Sequence, residues 1–387
     1  MHPVIRKRLK SALKYSLAAL CFWLVAEVVW LFLSFNIGPF QWLTLYMPNG
    51  LLQYTLRPDA DVDASSFICR TKVKTNRYGM RDTDFPRHKA PGTVRIMAVG
   101  GSTTFGSYIS DNEHTYPAVL ERLLEEKFPE QNIEVINTAV PGYNTTNSLI
   151  HLITRLVYYE PDIVLIYHAI NDIRDHLKFE QDQTPFDLLS FVSCGDSVGY
   201  YVRNSIVYRS VLLAAGVINA KVNLLERRRQ RSARRKHNAR TGDTGDVSMG
   251  LEIYGSNLGS MMSICRQHGI EPVMIFFPYS GGLKSELADS MFYYVGMTGI
   301  ETAQLIDRYN ERMKQTARAH NVTVVDPLIP DDEDVWGDWC HLNDTGAVIF
   351  STNVAERLVD LIKQHLVAKV KKRTFYSSNV NQPVTGH

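Results

Sequence analysis

Two clusters in this sequence hold side chains of the types that carry out nucleophilic catalysis. One is a serine among glycines, Gly100-Gly101-Ser102-Thr103-Thr104-Phe105-Gly106. A serine flanked this way at a strand-to-helix turn can present its Oγ without steric conflict. The other is Asp338-Trp339-Cys340-His341-Leu342-Asn343. Asp and His three apart share one face of a helical turn. The carboxylate then accepts the imidazole Nδ1–H and leaves Nε2 facing a nucleophile. Serine is a weak nucleophile until a base takes its proton, and the same imidazole can later protonate the leaving group. Each cluster alone also has a plainer reading. GGSTTFG could be a phosphate loop or an ordinary turn, although Ser107 after Gly106 breaks the P-loop pattern and G-x-G-x-x-G is not met. Ala139-Val140-Pro141-Gly142-Tyr143-Asn144 and Ala169-Ile170-Asn171-Asp172, taken singly, read as turns.

The elements that must position these groups follow from the pattern of apolar residues. From Val94 onward, short β-rich runs alternate with amphipathic helical runs, the signature of a parallel sheet with helices on both faces. The expected strands are Val94–Val99, Ile133–Ile136, Ile163–Tyr167, Val273–Phe277 and Val322–Val325. The expected helices are Tyr116–Lys127, Thr145–Tyr158, Leu251–His268, Thr302–His320 and Asp344–Gln364. Thr115 is the expected N-cap of the first, with Pro117 just inside it. Ser102, Gly142 and Asn171 all follow strands. They therefore lie in the loops at the carboxyl edge of the sheet, where α/β proteins bind ligands.

Taken together and in this order, the four blocks resemble those of the SGNH (GDSL-like) hydrolases, in particular bacterial membrane-anchored members. GGSTTFG is similar to the nucleophile block, Gly142 to the glycine of the second block, Asn171 to the asparagine of the third, and DWCH to the terminal D-x-x-H. The similarity covers roughly residues 94–364, and NRYGMRD (Asn76 to Asp82) resembles the lead-in of many bacterial members. The resemblance implies a three-layer α/β/α sandwich with a mostly parallel five-stranded, flavodoxin-like sheet. It also implies Ser102, Asp338 and His341 as catalytic residues, and an oxyanion hole made from the Ser102 and Gly142 N–H groups and the Asn171 side chain. No metal or organic cofactor is implied. Two departures touch loop geometry: Gly101 stands where the eponymous Asp would be, and Ala169 stands for the usual Gly of the third block. The activity expected is hydrolysis of an acyl ester through an acyl-enzyme, with O-acetyl or other O-acyl groups of an envelope glycan or lipid as substrates. The alternatives are an O-acyltransferase using the same triad and a catalytically inactive glycan-binding or assembly protein.

The chain has 387 residues, 45% of them hydrophobic and 21% charged, which is a globular composition that excludes disorder and fibrous classes. Tyr15 to Phe35 is almost continuously apolar, with Glu27 its one charge, and about 20 such residues span a membrane. Arg6, Lys7, Arg8, Lys10 and Lys14 precede it, which predicts a cytoplasmic N-terminus and an extracytoplasmic or periplasmic remainder on a single-pass inner-membrane protein. A cleaved signal peptide competes, but the run is longer than an ordinary h-region and is followed by Asn36-Ile37-Gly38-Pro39. The expected organisation is a basic terminus 1–14, a transmembrane helix 15–35, a connector 36–90 packing on the main domain, the hydrolase-like domain 91–367 with an insertion at 173–250, and a polar tail 368–387 that is disordered from Thr374 onward.

Charge is unevenly spread. Of the net +2, the first fourteen residues contribute +5 and residues 221–240 contribute +8, leaving −11 on the rest. An acidic body does not suit a nucleic-acid partner. The basic segment 227–240 reads as a solvated face, or as a contact with an anionic surface. Five cysteines without a C-x-x-C leave either buried thiols or at most two disulfides outside Cys21. His114, His151, His168 and His176 lack partner spacing and read as surface or loop residues, with His168 near enough to the Asn171 loop to line a pocket. Asp331 to Asp334 read as a solvated loop. Asn144, Asn321 and Asn343 sit in N-x-T sequons, two of them beside proposed site residues, which favours a bacterial envelope over a glycosylating pathway.

Overall fold

A computed structural model describes residues 3–36, 45–63, 71–176, 248–284 and 297–380, and the elements are numbered within those residues. Most of the 173–250 insertion, with its basic run 227–240, lies outside them, as do Cys69 and Cys194. The chain divides into two units. The first contains Met1–Gly79 and the second is built from Met80–Lys178 and Gly250–His387.

In the first unit, α1 (Pro3–Asn36) is a single long helix. Its stretch Lys10–Val29 has a mean hydropathy of 1.7 and none of it is buried in the protein. Length and composition of this kind are shared by membrane spans and signal sequences. Glu27, the one acid in the run, accepts a hydrogen bond from Trp23 Nε1 at 3.0 Å, one helical turn away. Two antiparallel pairs follow: β1 (Tyr46–Asn49) with β2 (Gln53–Leu56), and β3 (Asp61–Asp63) with β4 (Lys72–Lys74). Asn49 turns the first pair by accepting the N–H groups of Leu51 and Leu52, each at 3.0 Å.

The second unit holds the parallel sheet. Its strands are β5 (Val94–Gly100), β6 (Ile133–Asn137), β7 (Ile163–Tyr167), β8 (Glu271–Ile275) and β9 (Thr323–Val325), in the order β6-β5-β7-β8-β9. Every pairing is parallel. All residues of β5 and β7 are buried, as expected of central strands covered on both faces. The helices are α2 (Ser102–Phe105), α3 (Tyr116–Lys127), α4 (Thr145–Thr154), α5 (Ile170–His176), α6 (Ser248–Gln267), α7 (Gly299–Ala319) and α8 (Asp344–Val380). Flanking helices meet in pairs. Tyr116 of α3 packs on Phe350 of α8 at 4.6 Å between ring centroids, and Tyr254 of α6 on Tyr309 of α7 at 4.9 Å. Tyr167 of β7 reaches both Tyr116 and Phe350, tying the sheet to the first pair.

Chain order reverses around β5, because β6 lies on one side of it and β7 on the other. In an open sheet of this kind, the crevice beyond the carboxyl ends at that switch point is where ligands bind. β5 and β7 end together there, Gly100 opposite Tyr167. Ser102 follows the first and Asn171 the second.

Several local expectations are revised. Thr115 is the N-cap of α3 with Pro117 just inside it, as expected, but its hydroxyl donates to the Asn112 carbonyl at 2.8 Å and makes no cap bond to the helix. The run Thr145–Tyr158 is an α-helix only to Thr154, then a separate 3₁₀ turn at Leu156–Tyr159. The last helix passes Gln364 and reaches Val380, so residues 374–380 of the tail are helical rather than disordered. Cys21, Cys265 and Cys340 are free thiols, which restricts any disulfide to the remaining two cysteines.

Candidate active site

Ser102 opens a one-turn helix directly after β5. Gly106 ends that turn in the left-handed region at φ +87°. The carbonyls at its C-terminal end are held from outside. Arg81 donates to the carbonyls of Phe105 at 2.9 Å and Gly106 at 2.7 Å, and Asn137 Nδ2 donates to that of Thr104 at 3.2 Å. Arg81 is itself buried, with its guanidinium 4.9 Å from the centre of the Phe105 ring and its Nε on Asn112 at 3.1 Å. The NRYGMRD segment thus supplies the donor that fixes the serine's turn. The sequence gives no mechanical reason for its resemblance; the fold does.

The candidate base arrives from the far end of the chain. Residues 336–342 form a tight loop closed by a β-bridge between Trp336 and Leu342, with the Gly337 N–H on the His341 carbonyl at 2.8 Å. Within it, Asp338 Oδ1 accepts the backbone N–H groups of Cys340 at 2.9 Å and His341 at 2.8 Å. That is an Asx-type turn, not the helical turn expected from the spacing, and it brings the two side chains together equally well. His341 Nδ1 lies 2.8 Å from Asp338 Oδ2, and Nε2 lies 2.7 Å from Ser102 Oγ. With Nδ1–H given to the carboxylate, Nε2 is the acceptor for the serine proton. Burial pushes the Asp338 carboxyl upward. The hydrogen bond and charge of His341, with the two backbone N–H groups, outweigh that and hold it below its ordinary range. Asp338 is therefore ionised at neutral pH.

Gly142 and Asn171 meet beside the serine. Val140-Pro141-Gly142-Tyr143 is a turn closed by the Tyr143 N–H on the Val140 carbonyl at 3.1 Å, with Gly142 at φ +88°. Proline then a residue at positive φ is the type II pattern, which requires glycine at the second place. Arg174 donates to the Gly142 carbonyl at 3.1 Å while paired with Asp175, whose carboxylate also accepts from Asn144 Nδ2. Asn171 Nδ2 donates to the Tyr143 carbonyl at 2.9 Å. Among the described residues, the Ser102 and Gly142 N–H groups have no hydrogen-bond acceptor. Gly101 shows why its side chain is missing: a Cβ there would stand 2.5 Å from Asn171 Nδ2 and 3.0 Å from the Tyr143 carbonyl oxygen. Ala169 is buried, and its carbonyl accepts the Ile173 N–H in the first turn of α5. The geometry thus assembles a hydroxyl, an imidazole and a carboxylate in series, next to N–H donors that face no internal acceptor.

Asp338, Cys340 and His341 present three ligand-type atoms within 4.8 Å of one another. The carboxylate and Nδ1 are already engaged with each other. Burial, then the Asp338 charge, pushes the Cys340 thiol well above its ordinary range, away from the thiolate that a metal site would use.

The remaining candidates fall outside this arrangement. His151 and His168 are core residues rather than surface or loop residues, and burial lowers both to about 3, so they stay neutral. His168 Nε2 sits 2.8 Å from Ser148 Oγ. His114 is on the surface, bonded to Asp111 at 2.7 Å. Asp331 to Asp334 are exposed. Asn144 and Asn343 use their side-chain nitrogens in internal hydrogen bonds, Asn343 on the Asp334 carbonyl. Sequence reasoning alone missed Arg174 on the Gly142 carbonyl and Tyr108, whose ring lies against His341. Neither has a local signal, since each contact joins distant segments.

The model of the GDSL-like Lipase/Acylhydrolase family matches residues 98–349, a span that includes Ser102, Gly142, Asn171, Asp338 and His341. Similar solved structures include the acetylxylan esterase Axe2 from Geobacillus stearothermophilus, with 14% identity and a TM-score of 0.40, covering 69% of this chain and 94% of that one. The lipase/acylhydrolase from Enterococcus faecalis is 15% identical with a TM-score of 0.39, over 68% and 95% of the two chains. A GDSL-like lipase from Bacteroides thetaiotaomicron is 10% identical with a TM-score of 0.37, over 69% and 88%. No curated protein matches the chain.

Proposed function

The chain belongs to the GDSL-like lipase/acylhydrolase family, and from that premise we propose that it is a serine esterase that cleaves an acyl ester through an acyl-enzyme on Ser102. The observation that carries this reading is the unbroken series Ser102 Oγ, His341 Nε2, His341 Nδ1 and Asp338 Oδ2, with steps of 2.7 and 2.8 Å. His341 takes the Ser102 proton as Oγ attacks the ester carbonyl carbon. Charge moves to the carbonyl oxygen, and the Ser102 and Gly142 N–H groups and the second Asn171 amide hydrogen receive it. The protonated imidazole, stabilised by ionised Asp338, gives its proton to the departing alkoxide. Water, deprotonated by the same Nε2, then attacks the acyl-enzyme and frees Ser102.

The apolar run of α1 and the basic residues in the turns of α1 that precede it support anchoring in the inner membrane, with the catalytic unit on the periplasmic side. O-acyl groups on an envelope glycan or lipid would be within reach of such an enzyme. One experiment tests activity and location together. Spheroplasts expressing the full chain are given membrane-impermeant esters of graded acyl length. We expect hydrolysis outside the cell, activity retained in carbonate-washed membranes, and its loss in Ser102→Ala. Hydrolysis that persists in Ser102→Ala contradicts the chemistry. Activity seen only after lysis contradicts the topology.

A further inference from the structure

The imidazole of His341 is held at its two nitrogens by Asp338 and Ser102, but one of its faces is held as well. The ring of Tyr108 lies against it, with centroids 5.3 Å apart and planes inclined by 31°. Tyr108 belongs to the stretch that leaves α2, so the segment carrying the nucleophile also carries the lid of its base. This stretch is fixed at both ends. At one end Ser107 N–H bonds back to the Ser102 carbonyl at 3.1 Å, and Ile109 N–H to that of Gly106 at 3.1 Å. At the other, Ser110 N–H donates to Asp344 Oδ1 at 2.9 Å, at the start of α8 and three residues past His341. The loop of the base is shaped to admit the ring: a Cβ on Gly337 would run into the Tyr108 side chain.

We infer that Tyr108 is a positioning residue for the base, holding the imidazole in line with Ser102 and presenting a π face to the imidazolium formed during acyl transfer. A ring bonded only at two nitrogens in its own plane can still rock about the axis through them, and a flat neighbour on one face removes that motion. A cation over an aromatic face is also favoured, so the ring stabilises the charged form that the reaction creates. Among the described residues, the charged and titratable groups around the imidazole are few. Asp338 is bonded to Nδ1, the Cys340 thiol lies 3.4 Å from Nδ1, and the Asp344 carboxylate is occupied by Ser110. None of these offers a second cation-stabilising contact on the ring face.

This inference rests on the serine-esterase reading, and its test separates the two. The kcat/KM of the membrane-bound full chain on p-nitrophenyl acetate is followed against pH for wild type, Tyr108→Phe, Tyr108→Leu and Gly337→Ala. Tyr108→Leu, which keeps most of the volume, should lower kcat by about 10-fold with KM little changed. The acid limb should also move to lower pH by roughly half a unit, because the imidazolium loses its π partner. Tyr108→Phe keeps the ring and should hold the wild-type limb and a rate within about 2-fold. Gly337→Ala, which displaces the ring without removing it, should shift the limb in the same direction as Tyr108→Leu. A Tyr108→Leu enzyme with the wild-type limb, or one that changes only KM, overturns the inference. So does a Tyr108→Phe enzyme as impaired as Tyr108→Leu. A wild type that hydrolyses no ester overturns the esterase reading itself.

Discussion

In the proposed mechanism Asn171 serves two partners through one amide nitrogen. One hydrogen is spent on the Tyr143 carbonyl at 2.9 Å, which locks the side chain against the Gly142 turn. The other is left for the oxygen that gains charge as the ester is attacked. A bond that strengthens only in the transition state changes kcat more than KM. We therefore expect Asn171→Ala to lower kcat by about 10²- to 10³-fold with KM little changed, as measured by steady-state kinetics. An unchanged kcat with a raised KM would show that the residue merely holds substrate. At this scale the four blocks are legible in the sequence because each chemistry needs a particular residue type in a particular loop. What is not legible is why Gly101 replaces the expected Asp. The reason is a contact with Asn171, seventy positions away in the chain, which no local pattern encodes. The spacing of Asp338 and His341 shows that they can meet. It does not distinguish a helical turn from an Asx turn, because both bring i and i+3 together.

At the scale of elements, the strands of the sheet are readable as apolar runs, and the reading is best where burial is complete. Ile163–Tyr167 is a strand from end to end, with every residue buried. It is poorer at helix ends, where the deciding contacts are not local. The hydroxyl of Thr115 finds a carbonyl behind it instead of the helix ahead, and α8 continues through polar residues to Val380. The edge strand β6 carries a device that sequence does not announce. Its outward N–H groups at Val135 and Asn137 are accepted by the carboxylates of Glu121 at 2.6 Å and Asp82 at 2.8 Å. Satisfied this way, the edge offers those donors to no other strand. The arrangement has a cost. Burial raises Glu121 from 4.5 to about 7 and Asp82 from 3.8 to about 6. A carboxyl whose pKa is higher in the folded state binds more protons there, so stability falls as pH rises from about 4 to about 7. Glu121→Gln keeps an acceptor for Val135 without the charge. Thermal unfolding should show it more stable than wild type by about 1–2 kcal/mol at pH 8, and equal to it near pH 4. A Glu121→Gln protein less stable than wild type at pH 8 would show that the ionised form is the favourable partner.

At the scale of the whole molecule, the alternation of strands and helices is enough to foresee a parallel α/β sheet, but not the order of its strands. That order, β6-β5-β7-β8-β9, sets β5 between β6 and β7 and so puts Ser102 and Asn171 at one switch point. His341, the proposed base, then joins them from 239 positions away along the chain. Met80 and the residues after it fall in the unit of the sheet, and within them Arg81 donates to the turn that follows Ser102. All three scales converge on one claim, that Ser102 is a nucleophile activated by His341. It is tested most directly by covalent capture. Membranes containing the full chain are treated with a tagged organophosphonate, and the adduct is located by peptide mass spectrometry. The account predicts one adduct, on Ser102, whose rate of formation drops by about 10³-fold or more in His341→Ala. Labelling that survives undiminished in Ser102→Ala, or that proceeds at the wild-type rate without His341, would contradict it.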